Sequence, residues 1–347
     1  MKKEIPIMFC FDKNYVIPAS VAFYSLMENS SKNYNYVFYI LHSDINNDQQ
    51  KLLKDTLKEF SNVKLVFKNM EHKLNDEWNR SYRGDHFSKE VMYKLLTASL
   101  FPQYDFIIVS DVDVIFTGDV SKALNYFDDI KDFFIAGTKP IGKVSNYFIN
   151  YESQWSKDEI KKLGEVCGGF LIMNLKKIRE DNVEVKFLNS LDENSYRLNQ
   201  MEQDILNLVC YKKIYHLPLN YVACSYMWDY FKTPEDMKTD SNYSYKEIKS
   251  ALKEPIQLHY ATSIKPWKNV NCTKSDVWFK YIVKTPFLKI YLDELPNKIV
   301  IPEYRINVYV EKKHSRLYKF LSYVKKNPFF IFKKEFYRKL VNNVKRK

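Results

Sequence analysis

Residues 104–114 read YDFIIVSDVDV. The apolar run 106–109 shows no polar alternation, so a strand here must be covered on both faces, as in a parallel sheet with helices on either side. The run ends in Ser110-Asp111-Val112-Asp113. Carboxylates two residues apart at a strand end share one face, at the carboxyl edge where open α/β sheets bind ligands. Like charges this close repel unless a cation or protons stand between them. A hard divalent metal joining them to a phosphate is the usual resolution. At average Asp usage a D-x-D arises by chance about once in a chain of this length, so its weight depends on what surrounds it.

The surroundings supply the helices. Strands are expected at 5–11, 36–41 and 63–67, and helices at 18–27, 45–60 and 88–100. In the second helix Leu52, Leu53, Leu57 and Phe60 recur at helical spacing, with Asn46 or Asn47 as cap. In the third, Ser88 is the expected N-cap and Glu90 lies in the first turn. Strands alternating with helices over the first 115 residues imply βαβ units and a mostly parallel sheet. Further strands are expected at 133–137, 170–174, 214–217 and 256–260, and helices at 176–179 and 202–209. Gly168-Gly169 lead into the strand at 170, where backbone can approach a ligand closely.

At 347 residues, 46% of them hydrophobic and only seven glycine, the chain is globular rather than disordered. Its net charge of +12 is not spread evenly. Residues 305–347 hold fourteen Lys and Arg against Glu311 and Glu335, so residues 1–304 balance. That placement points to a basic tail meeting an anionic surface rather than to a basic protein. In the tail, Leu317, Phe320, Leu321 and Val324, then Phe329, Phe332, Phe336, Leu340 and Val344, form apolar stripes flanked by lysines and arginines. A basic amphipathic helix of this kind is expected to lie in a membrane interface. Nucleic-acid binding is not expected, because the aromatics form a continuous stripe rather than separate stacking platforms. Five scattered cysteines without C-x-x-C read as reduced thiols of a cytosolic chain. The short apolar run near the N-terminus reads as a strand and not as a signal peptide, and no apolar run reaches about 18 residues, so none is long enough to span a membrane.

Five blocks then occur in order: FDKNY, VSDVDVIFTGDV, CGGFLIMNLKK, EQDILN and HYATSIKPW. Together they resemble the retaining glycosyltransferases of family 8, the group of lipooligosaccharide α-galactosyl- and glucosyltransferases and glycogenin, over residues 5–267. The resemblance implies an α/β fold of GT-A type, a Rossmann-like, mostly parallel sheet flanked by helices, with the basic helical tail added. It implies that Asp12, Asn14 and Tyr15 hold uracil and ribose, and that Asp111 and Asp113, spaced by Val112, bind a metal with His259 as third ligand. Lys265 would pair with the diphosphate, and Lys94 stands where relatives place an arginine that reaches it. Gly168 and Gly169 follow Cys167 where the family has Asn-Ala-Gly, so an asparagine expected near the sugar is missing. Glu202, Gln203 and Asp204 match an acid-Gln-Asp block, with Gln203 beside the anomeric carbon and Asp204 holding sugar hydroxyls.

Two carboxylates and an imidazole suit Mn²⁺ or Mg²⁺, with Mn²⁺ favoured by the nitrogen. The expected activity is therefore metal-dependent transfer of galactose or glucose from a UDP-sugar to a hydroxyl of a surface glycan, glycolipid or glycoprotein, with retention. Front-face attack is expected, because the amide of Gln203 is a poor nucleophile; double displacement through Glu202 or Asp204 is the alternative. Two other readings are a metal-dependent phosphodiesterase or nuclease, which calls for more clustered acids and histidines, and a non-catalytic membrane-bound scaffold on a transferase fold. The expected organisation is a transferase domain at 1–270, a connecting segment packed on it at 271–304 and the membrane-association tail at 305–347. The expected location is cytoplasmic, peripheral on the inner face of the cell membrane, and a homo-oligomer is compatible with the sequence.

Overall fold

The computed structural model describes residues 2–81, 87–127, 132–142, 154–240 and 242–298, the last four as backbone only. Residues up to 295 form one compact unit. The expected tail at 305–347 lies outside the described residues. The expected connecting segment begins inside that unit, where helix Ser275–Ile282 buries Trp278, Tyr281 and Ile282.

Ten strands make two sheets among the described residues. In chain order they are β1 (Glu4–Cys10), β2 (Asn35–His42), β3 (Val63–Asn69), β4 (Phe106–Ser110), β5 (Val114–Phe116), β6 (Ile135–Gly137), β7 (Phe170–Asn174), β8 (Ile214–His216), β9 (Ala223–Cys224) and β10 (Gln257–His259). The larger sheet runs β3-β2-β1-β4-β7-β6-β8. Its strands are parallel except β7, which runs against both β4 and β6. The smaller sheet runs β5-β10-β9, with β10 antiparallel to β5 and parallel to β9.

Apolar strands without alternation are explained by where their side chains go. Along β1, Ile5, Ile7 and Phe9 join one core with Phe23 and Phe38, while Met8 and Cys10 join a second with Met92 and Ile205. In β4 the same split separates Ile108 from Ile107 and Val109. Each face of the sheet therefore has its own apolar layer, and burial at both is what holds the sheet to its helices.

Two of the expected helices take a different form in the structure. The second is shorter than 45–60: it spans Asn47–Thr56, opened by a capping box in which the Asn46 side chain and Gln49 exchange hydrogen bonds. The segment expected as one α-helix over 88–100 is instead a 3₁₀ helix, Lys89–Leu96, followed by a single α turn, Thr97–Leu100, and the Ser88 side chain makes no capping bond. Eight residues is long for a 3₁₀ run. Glu90, Met92, Tyr93, Lys94 and Leu95 are all buried along it, so it has no solvent face of the kind an amphipathic α-helix keeps.

Candidate active site

After β4 the chain leaves the larger sheet and enters the smaller one across Asp111-Val112-Asp113. Buried Val112 anchors the crossing in the core. Backbone bonds fix both acids: the Asp111 N–H donates to the Gly169 carbonyl at 3.2 Å, and the Tyr260 N–H to the Asp113 carbonyl at 3.0 Å. The β10 register sets His259 opposite Val114, one residue beyond Asp113. Beneath them Gln257 Nε2 donates to Ser110 Oγ at 2.8 Å, tying the end of β4 to β10.

Three side chains then converge. Ligand atoms of Asp111, Asp113 and His259 lie within 4.8 Å of one another. His259 Nε2 is 3.2 Å from Asp113 Oδ1 and 3.7 Å from Asp111 Oδ2. Two carboxylate oxygens and one imidazole nitrogen suit Mn²⁺ or Mg²⁺ in chemistry, the nitrogen favouring Mn²⁺. The His259 ring fits because residue 169 has no side chain: a Cβ there would stand 2.6 Å from both Cε1 and Nδ1.

Each aspartate has a lysine on its other oxygen. Lys94 Nζ donates to Asp111 Oδ1 at 2.8 Å, to Glu202 Oε1 at 2.8 Å and to the Gly168 carbonyl at 3.2 Å. At 2% exposure, Lys94 is no solvated helix lysine. Lys265 Nζ donates to Asp113 Oδ2 at 2.5 Å and to the Tyr260 carbonyl. Burial pushes the Asp113 carboxyl up, but Lys265 and then His259 outweigh it and hold it below the usual carboxylate range. For Glu202 burial wins over the attraction of Lys94, and its carboxyl is raised.

The helix Glu202–Cys210 brings in the remaining acids. Its entry is strained, since buried Met201 sits at φ 48°, a region costly for a side chain other than glycine. Asp204 stabilises this turn: its fully buried carboxylate accepts from the Asn199 and Gln200 N–H groups at 2.8 and 2.9 Å through Oδ2. Gln203 Oε1 accepts from the Gly168 N–H at 2.7 Å, locking this helix to the glycine pair.

The loop after β1 lies on the same edge. Asp12 accepts from the Asn14 N–H and amide, both at 3.0 Å, opening a short 3₁₀ turn over Lys13–Tyr15. Burial raises the Asp12 carboxyl. It also raises the Tyr15 phenol, with Asp113, Asp12 and Asp111 adding to the effect. The Tyr15 ring meets Trp267 edge-on, with centroids 5.9 Å apart. A cavity of about 390 Å³ lies at the opposite edge, by the amino ends of β1 and β4, and contains none of these residues.

The profile of glycosyl transferase family 8 matches residues 6–271. The chain belongs to that family. Among family relatives it is similar to the lipopolysaccharide 1,2-glucosyltransferase of Escherichia coli, 22% identical over 94% of this chain and 88% of that one. Among solved structures it is similar to the bifunctional glycosyltransferase WbbM, with a TM-score of 0.68 at 22% identity over 84% of this chain. It spans about half of that longer protein, 52% of the chain. It is also similar to the galactosyltransferase LgtC in complex with donor and acceptor sugar analogs, with a TM-score of 0.63 at 16% identity over 81% of this chain and 96% of that one.

This family-8 glycosyltransferase thus has the GT-A fold that its motifs imply. The fold gathers Asp111, Asp113, His259, Lys94, Lys265, Gly168, Gly169, Glu202 and Gln203 into one connected set of contacts. Asp204 is different, because its carboxylate is fully buried and spent on backbone groups. Ser110, Gln257 and Met201 escaped the sequence reading. A signal for Gln257 was present, since it lies two residues before His259 on one strand.

Proposed function

We propose that this glycosyltransferase moves a hexose, galactose or glucose, from a UDP-sugar to a hydroxyl of a glycan, glycolipid or glycoprotein, using a divalent cation and retaining configuration. The observation that carries the reading is the Asp111–Asp113–His259 trio, within 4.8 Å at the carboxyl edge of the sheet beside Lys265. A cation held by Asp111 Oδ2, Asp113 Oδ1 and His259 Nε2 would take up charge on the departing diphosphate. LgtC, a galactosyltransferase, and the glucosyltransferase relative frame the choice of sugar.

In this reading Asp12, Asn14 and Tyr15 receive the base and ribose, with Trp267 behind Tyr15. Lys265 offers its ammonium to the diphosphate as a point charge. The backbone of Gly168 and Gly169 lets the donor sugar approach, and Gln203 stands against Gly168. Front-face attack is the favoured mechanism. Double displacement needs a free carboxylate, yet Glu202 is bonded to Lys94 and Asp204 to two backbone N–H groups. The leaving phosphate oxygen then accepts the acceptor's proton.

The organisation proposed with it is a transferase domain at 1–270, a connecting segment at 271–304 and an interfacial basic tail at 305–347. Through that tail the enzyme would sit peripherally on the anionic inner face of the cell membrane. No helix among the described residues is long and apolar enough to cross a membrane.

The test is UDP release from UDP-galactose and UDP-glucose with Mn²⁺. At least one donor is expected to be hydrolysed, with activity lost in EDTA and restored by Mn²⁺. A folded protein that releases no UDP from a panel of UDP-hexoses refutes the donor reading.

A further inference from the structure

The two lysines at the cation site share one arrangement. Lys94 bonds Oδ1 of Asp111, whose Oδ2 faces His259. Lys265 bonds Oδ2 of Asp113, whose Oδ1 faces His259. Each carboxylate therefore presents one oxygen to the imidazole and has the other tied to an ammonium. Neither lysine is a surface charge: their side chains are 2% and 10% exposed. Glu202 shares Lys94, so three carboxylates and two ammonium groups make up the charged set.

We infer that Lys94 and Lys265 are positioning residues that act as built-in counter-ions, making the Asp111–Asp113–His259 site a weak binder of a bare divalent ion and a strong binder of that ion together with a diphosphate. This rests on the donor reading above. The five charged groups carry one net negative charge, so a lone divalent ion would reverse its sign with two ammonium groups bonded to its ligands. Charges this close and this shielded from water interact strongly. A diphosphate brings its own negative charge and gives Lys265 a second set of oxygens, removing the penalty. The lysines also fix which oxygen of each aspartate is available, so the ligand geometry is set before the ion enters.

The experiment measures Mn²⁺ uptake by the full chain, from the electron paramagnetic resonance signal of free Mn²⁺, with and without saturating UDP. Binding of UDP in Mn²⁺ is followed separately by calorimetry. Wild type is expected to bind Mn²⁺ at least tenfold more tightly with UDP. Lys94→Met and Lys265→Met are each expected to tighten binding of Mn²⁺ alone by about tenfold, from the loss of a neighbouring positive charge. Turnover falls in the same variants. A merely structural lysine would weaken both quantities on removal, so opposite movements identify the counter-ion role. If Lys94→Met does not fold, Lys265→Met and the wild-type pair of measurements still decide. Equal Mn²⁺ affinity with and without UDP in a protein that binds UDP overturns the inference and leaves the donor reading standing. Unchanged or weaker Mn²⁺ binding in the folded variants overturns it too. A protein that binds no UDP at all sinks the donor reading, and joint uptake with it.

Discussion

Replacing Gly169 with alanine tests the site through one methyl group. A Cβ at this position would lie 2.6 Å from His259 Cε1 and Nδ1, and 3.6 Å from Asp111 Oδ2. Ordinary contact between such atoms is about 3.5 Å, so the ring or the β7 entry must move by about 1 Å. The clash falls on the Cε1–Nδ1 edge of the ring, and Cε1 is bonded directly to Nε2, the atom that faces the aspartates. Ligand distances at a metal site tolerate only about 0.2 Å, and about 1 Å of misplacement in a reacting site can cost on the order of 10²-fold in rate. Gly169→Ala is therefore expected to lose about 100-fold in Mn²⁺-dependent kcat/KM for UDP release. Overpacking should also lower stability by about 1–3 kcal/mol, read from urea unfolding. Gly168→Ala is the control for stability, because a Cβ there meets nothing nearer than 3.4 Å; its urea midpoint should move less than that of Gly169→Ala. A folded Gly169→Ala protein with wild-type rate and wild-type Mn²⁺ requirement would refute the role assigned to His259.

Two further outcomes follow from other parts of the molecule. Asp204→Asn weakens the charge-assisted bonds to the Asn199 and Gln200 N–H groups and should cost about 2–3 kcal/mol in urea unfolding; an unchanged midpoint would show that the strained turn at Met201 does not depend on that charge. Truncation after residue 304 should abolish binding to anionic vesicles in sedimentation, with UDP release retained; undiminished binding would remove the tail from the proposal.

Much of this fold was legible because fully covered strands leave an unambiguous pattern. β1, β2 and β4 have apolar side chains buried on both faces, and the helices that cover them follow in sequence. The Asp111–Asp113 pair was legible for the same reason, as polar residues ending a buried run. What the sequence hid was produced by tertiary contacts. Lys94 was placed near the diphosphate by resemblance, but its bonds to Asp111 and Glu202 appear only when the 3₁₀ path of Lys89–Leu96 buries it. β5 is only three residues long, and its role appears when it pairs with β10, which is distant from it in the sequence. Helices Lys157–Leu163 and Tyr245–Lys253 were missed although each opens with a capping box, Ser156 with Glu159 and Ser244 with Glu247, the S-x-x-E signature of a helix start.

The pairing of β5 with β10 also imposes an order on the making of the enzyme. A ribosome releases the segment bearing Asp111 and Asp113 long before the one bearing His259, and among the described residues β5 has no other strand partner in the small sheet. Until residues 257–259 emerge, the acids have neither their imidazole nor the strand that aligns it. A growing chain thus cannot bring the trio together before residues 257–259 have left the ribosome.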